Sequence, residues 1–76
     1  MPHKNSTLIR FGNAIRDERR RAKISQEKLA EFAQVHRTYI GMVERAERNI
    51  TLLNIEKLSK ALDVPMSKII KQVESK

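Results

Sequence analysis

The chain has no cysteine, so neither a disulfide framework nor a thiolate metal site can supply its stability. Aromatic residues are nearly as scarce: Phe11, Phe32 and Tyr39 are the whole set. Two glycines and two prolines leave little turn material, which suits short packed helices better than a β-sandwich. No apolar run approaches the roughly 20 residues of a membrane span. The polar start, Met1-Pro2-His3-Lys4, does not read as a signal peptide. Catalytic groups are missing as a set. His3 and His36 lie far apart, there is no Gly-rich phosphate loop, and the acidic residues are scattered along basic segments at positions expected to be solvated. We therefore expect no enzyme, no cofactor, no metal and no small-molecule ligand.

What is present is positive charge. Sixteen Lys/Arg stand against nine Asp/Glu, a net charge of +7 on 76 residues. Such a balance on a small surface attracts polyanions, nucleic acid first and an anionic membrane second. The length allows one domain, near the lower limit for folding without staples. The 39% of apolar residues must carry the core, helped by burial between subunits. A cytoplasmic location is consistent with all of this.

Periodicity divides the chain into five helices. Residues 1–5 read as a flexible N-terminal extension and 6–76 as a single domain. A first helix is expected to start at Ser6 or Thr7, either serving as cap, with Leu8, Phe11, Ile15 and Ala22 on its buried face. Arg10, Arg16, Arg20 and Arg21 occupy the other face, while Arg19 falls on the apolar stripe four residues after Ile15. Ser25 caps a second helix that buries Leu29, Ala30 and Ala33. A third helix runs from Arg37 to Arg45 with Ile40 and Val43 inward. Ala46–Ile50 reads as a loop, and Thr51 caps a fourth helix whose stripe is Leu52, Ile55, Leu58 and Leu62. Pro65 opens a last helix, with Met66, Ile69, Ile70 and Val73 on its apolar side.

The second and third helices have the spacing of a helix-turn-helix. That geometry needs small residues where the helices touch (Ala30 and Ala33), an apolar plug in the turn (Val35) and apolar inner positions on the second helix (Ile40 and Val43). The outer face of the second helix is then free to enter a DNA major groove. Its outward positions are Arg37, Thr38 and Met42. Arg37 can offer a bidentate fork to guanine, Thr38 a contact to a thymine methyl or a phosphate, and Met42 an apolar contact. Gly41 adds no side chain. Direct base reading is therefore sparse, and DNA shape is expected to share the specificity. The plain alternative for Arg37 and Met42 is a solvated surface role.

The order Ser25-Gln26-x-x-Leu29-Ala30, then Val35, then Ile40-x-x-Val43-Glu44-Arg45 resembles the phage-repressor type of helix-turn-helix, over about residues 10–71. Within it, Arg37-Thr38-Tyr39-Ile40, Val43-Glu44-Arg45 and Arg48-Asn49-Ile50-Thr51 look most like the controller proteins of restriction–modification systems. Two positions depart from the pattern. Gln34 stands where the family usually has glycine in the turn, and His36 where it favours a Ser-like cap. The resemblance implies an all-α, five-helix repressor-like domain. It implies that Gln26 bonds a phosphate, the alternative being an ordinary helix residue. Tyr39 would lie against the DNA backbone, with a core role left open. It places Arg48 and Asn49 on DNA, chiefly on phosphate. Those two and Arg45 follow the recognition helix, and the alternative for them is a charged surface loop. It further implies a structural Arg19–Glu44 ion pair, against which stands Arg19 snorkelling to solvent or phosphate.

Leu53 lies off the stripe of helix four, about 160° from Ile55 at ~100° per residue. Leu53, Met66, Ile69 and Ile70 are the candidate surface for a symmetric homodimer, since one recognition helix reads too few base pairs alone. Leu53 could equally be exposed without consequence and helix five purely core. The expected function is a transcriptional regulator that binds double-stranded operator DNA as a dimer and controls its own gene and a restriction endonuclease gene. An antitoxin or phage repressor is the alternative within the same chemistry. A protein-interaction module is the alternative outside it, and the basic outer face with Arg37, Arg45 and Arg48 favours DNA.

Overall fold

The computed structural model describes residues 5–75. Five helices and no strand occur among them: α1 (Ser6–Arg21), α2 (Gln26–Ala33), α3 (Arg37–Glu44), α4 (Leu52–Leu62) and α5 (Met66–Glu74). Of the extension expected over residues 1–5, the first four lie outside the described residues, and so does Lys76. Asn5 is part of the folded unit. It caps α1 in place of Ser6 or Thr7, its Oδ1 accepting from the backbone N–H of Thr7 at 2.8 Å and of Leu8 at 3.2 Å. Ser25 and Thr51 cap as expected, their hydroxyls accepting from the N–H of Lys28 and Asn54.

Each helix delivers one fully buried branched aliphatic to a shared centre: Ile15, Leu29, Ile40, Leu58 and Ile69 all have 0% exposure. Ile69 is therefore core and cannot form part of a subunit surface; α5 turns it toward α1 and α4 because that side is its most apolar stripe. Two further assignments to the core fail. Ala22 lies past the last turn of α1 and is exposed. Leu52 is 69% exposed because it is the first residue of α4, where side chains lean beyond the helix end. The buried side of α4 is Ile55, Leu58, Ser59 and Leu62, with the Ser59 hydroxyl donating to the Glu56 carbonyl at 2.9 Å. α3 stops at Glu44, one residue early.

α1 is the central helix, packed on α5 along one side and on α3 along another. Its approach to α3 is so close that a Cβ on Gly12 would stand 2.6 Å from the Val43 carbonyl oxygen and 2.8 Å from that of Glu44. Only glycine fits there. Toward α5 the join is partly polar. Glu18, 4% exposed, receives Arg21 Nη1 at 2.5 Å and Gln72 Nε2 at 2.7 Å, with Lys68 Nζ at 3.6 Å. This corrects the expectation that the acidic residues sit solvated along basic helices: apolar packing of α5 against α1 seals Glu18, and three donors compensate its charge.

Four helices end alike, and none of them uses glycine. Lys23, Gln34, Ala46 and Asp63 have left-handed backbone, with φ of 60°, 58°, 62° and 59°. The N–H of the following residue then reaches five residues back: Ile24 to Arg19, Val35 to Ala30, Glu47 to Met42 and Val64 to Ser59. These bonds satisfy carbonyls that the helix end would leave open. A left-handed Gln34 costs on the order of 1 kcal/mol relative to glycine. Burying part of Val35, worth about 1 kcal/mol or more, offsets it. Ile24 and Val64 pack on the core in the same way.

Candidate nucleic-acid interface

α2 and α3 meet through Ala30, Ala33, Ile40 and Val43, all buried, with Val35 plugging the turn between them. With its inner face consumed, α3 can only present the residues on its far side. Arg37 and Thr38 are exposed at its N-terminus, and neither side chain bonds another described residue. His36 makes no side-chain cap and the first turn holds no acidic residue. The positive end of the α3 dipole and the Arg37 guanidinium are thus left uncompensated on the same side. Met42 is half-buried, which limits it to an apolar contact at the edge of that face.

The orientation of α3 is set from behind by one carboxylate. Arg19 Nε donates to Glu44 Oε2 at 2.7 Å and Arg19 Nη2 to Oε1 at 3.1 Å, a two-pronged contact. The third nitrogen of the same guanidinium donates to the Ile24 carbonyl at 3.1 Å, which ties the turn between α1 and α2 into the contact. Gln26 Nε2 donates to Glu44 Oε1 at 3.1 Å, and Arg16 reaches the same oxygen at 3.5 Å and the Glu44 carbonyl at 3.0 Å. Burial acts to raise the Glu44 pKa. The hydrogen bonds from Arg19 and Gln26 and the charges of Arg19 and Arg16 outweigh it, holding the carboxyl below its ordinary range. The hydrogen bond to Glu44 likewise raises the Arg19 pKa, against its partial burial. Glu44 is charged, almost wholly enclosed and shared by α1, α2 and α3.

Gln26 therefore has part of its amide committed to Glu44. Its position at the first residue of α2 still places it where the Gln26 and Glu27 N–H groups have no intrahelical acceptor. Beyond α3, Arg45 is exposed and held by Glu47, Nε to Oε2 at 3.1 Å and Nη2 to Oε1 at 3.2 Å. Its charge is thereby partly neutralised. Arg48 lies over the Tyr39 ring, 5.6 Å from the centroid. Tyr39 is half-buried against the core, and its hydroxyl accepts from Asn54 Nδ2 at 2.9 Å. Asn49 is exposed and uses Oδ1 on the N–H of Ile50. On the other candidate surface, Leu53 is 69% exposed and Ile70 38%, while Met66 is half-buried.

Three residues near this surface were not singled out from the sequence. Asn54 and Gly12 carry no local signal, because their partners are 15 and more residues away. Glu47 had a signal, an acidic residue in the basic segment after α3, whose meaning depends on the loop geometry.

The helix-turn-helix family model matches residues 15–69. Control protein C.BamHI of Bacillus amyloliquefaciens is 49% identical over 61 residues, 79% of this chain and 75% of that protein. The crystal structure of the restriction–modification controller protein C.AhdI from Aeromonas hydrophila matches with a TM-score of 0.84 at 40% identity, covering 86% of this chain and 98% of that one. The controller protein C.Esp1396I, as a tetramer in complex with its natural 35 base-pair operator, matches with a TM-score of 0.79 at 30% identity over 91% of this chain and 96% of that one. This chain belongs to the helix-turn-helix control proteins of restriction–modification systems, a family of DNA-binding transcriptional regulators.

Proposed function

We propose that the protein binds a two-fold-symmetric operator as a homodimer in the cytoplasm, and there controls its own gene and a restriction endonuclease gene. The observation that carries this reading is the outer face of α3. The Arg37 and Thr38 side chains are exposed at the positive end of the helix and bond no described residue. A protein that leaves such groups uncompensated beside a net charge of +7 is built to meet an anion. Assembly of the C.Esp1396I controller on its operator supports the oligomeric part of the reading.

In this arrangement Arg37 reads a guanine and Thr38 meets a thymine methyl or a phosphate. Met42 touches the groove edge. Gln26 and the start of α2 hold one backbone strand, while Tyr39, Arg48 and Asn49 hold the other. Arg45 contributes through the Nη1 that Glu47 leaves open. Leu53, Ile70 and Met66 supply the subunit contact, joined by Leu52. Base-reading groups are few, so the second subunit and DNA shape account for much of the selectivity.

Selected-site binding with the purified chain tests this. A consensus with two-fold symmetry and half-sites about one DNA turn apart is expected. Salt-sensitive binding with no preferred sequence would overturn it. On the recovered site, Arg37→Ala should relax one base pair per half-site, at about 1–3 kcal/mol of discrimination. Equal weakening on every sequence would instead move Arg37 to the phosphate contacts.

A further inference from the structure

Tyr39 carries one hydroxyl hydrogen and two acceptor lone pairs. One lone pair is occupied by Asn54 Nδ2 at 2.9 Å. The hydrogen cannot point at Asn54, which is itself donating, and no described residue accepts it. The ring is packed against the core, and Arg48 lies over it. The hydroxyl hydrogen must therefore turn away from Asn54, on a half-buried ring that carries an exposed guanidinium with no carboxylate partner among the described residues. An O–H with no acceptor among the described residues and a cation over the same ring match one ligand chemistry, a phosphodiester oxygen.

We propose that Asn54 is a positioning residue for DNA binding: by donating to the Tyr39 hydroxyl oxygen it turns that group into an outward donor for a backbone phosphate. This rests on the reading that Tyr39 and Arg48 face DNA. A hydroxyl that accepts a hydrogen bond also donates more strongly, so the contact gains in strength as well as direction. Asn54 is well placed for the task. It lies in the first turn of α4, half-buried, with its own N–H fixed by the Thr51 hydroxyl at 3.1 Å. Its amide is thus anchored on a helix that does not itself belong to the helix-turn-helix.

A double-mutant cycle on the duplex recovered by selected-site binding separates this role from a merely structural one. Tyr39→Phe should weaken binding about tenfold and Asn54→Ala about fivefold, the scale of one hydrogen bond to a charged oxygen. The two together should bind no more weakly than Tyr39→Phe alone, and thermal unfolding should show all three variants folded. If Asn54→Ala binds like the unsubstituted chain, or weakens binding as much in the Tyr39→Phe background as alone, the positioning role is wrong. If Tyr39→Phe binds normally, the reading of Tyr39 as a DNA contact is what fails. Asn54→Asp is the second variant. It suits a helix first turn but can only accept the hydroxyl hydrogen, so the loss it causes should shrink when combined with Tyr39→Phe. An undiminished loss there also overturns the proposal.

Discussion

Replacing Arg19 by methionine removes the fork that holds Glu44 while keeping most of the side-chain volume. The Glu44 side chain is 1% exposed and that of Arg19 14%, so the charge left behind cannot reach water. Breaking a buried pair in this way costs about 3–5 kcal/mol. Gln26 at 3.1 Å and Arg16 at 3.5 Å still serve Oε1, whereas Oε2 loses its donor. The loss should therefore fall near the lower bound, about 3 kcal/mol. A domain of this size has a total of roughly 4–11 kcal/mol, so the effect is large. Glu44→Gln should cost less, since Arg19 is long and partly exposed and can extend to solvent. The pH dependence gives a second signature. In the wild type Glu44 is held below its unfolded value, so its contribution is present above about pH 4.3 and is lost as pH falls through the lowered pKa. Without Arg19, burial dominates and lifts the carboxyl above its unfolded value. The variant then loses stability at neutral pH and regains it as the pH falls through the raised pKa, before the wild type responds. Urea unfolding followed by far-UV circular dichroism at pH 7 and pH 5, at one protein concentration, measures both effects. A loss below about 1 kcal/mol at pH 7, or an identical gap at the two pH values, would show that Arg19 does not support Glu44.

Gly12→Ala places a methyl against two backbone carbonyls and should destabilise by about 1–3 kcal/mol or prevent folding; an unchanged thermal midpoint would mean that α1 and α3 are not in such close contact. Gln34→Gly relieves the left-handed turn and should add up to about 1 kcal/mol, seen as a rise of roughly 4–8 °C in Tm. Leu53→Glu and Ile69→Glu should part company. The first should shift sedimentation toward monomer with the helical signal intact, and the second should abolish the helical signal, because Ile69 has no exposure and Leu53 has 69%. Arg48→Ala should weaken DNA binding evenly across sequences and lower the slope of log affinity against log salt by about 0.9; a sequence-dependent loss would place Arg48 on a base.

Much of this protein was written locally. The caps at Ser25 and Thr51, the aliphatic stripe through Leu58 and Leu62 and the small–small contact at Ala30 and Ala33 follow from spacing alone. A helix repeats every 3.6 residues and its ends need particular side chains whatever the neighbours do. The outward set Arg37 and Thr38 follows as well, since fixing the inner face of α3 fixes the outer one. Non-local packing decided the remainder. Whether Ile69 or Ile70 faced inward could not be read from adjacent apolar residues on one helix; α1 and α4 chose Ile69. Glu18 looked like a surface acid until α5 closed over it with Lys68 and Gln72. The need for glycine at position 12 arises from carbonyls more than thirty residues away. Sequence thus determined the helices, the caps at Ser25 and Thr51 and the outer face of α3, because these depend on neighbours within a turn or two. Tertiary structure alone decided which charges are enclosed around Glu44 and Glu18, and that Asn54 reaches Tyr39, because those contacts exist only when distant helices pack.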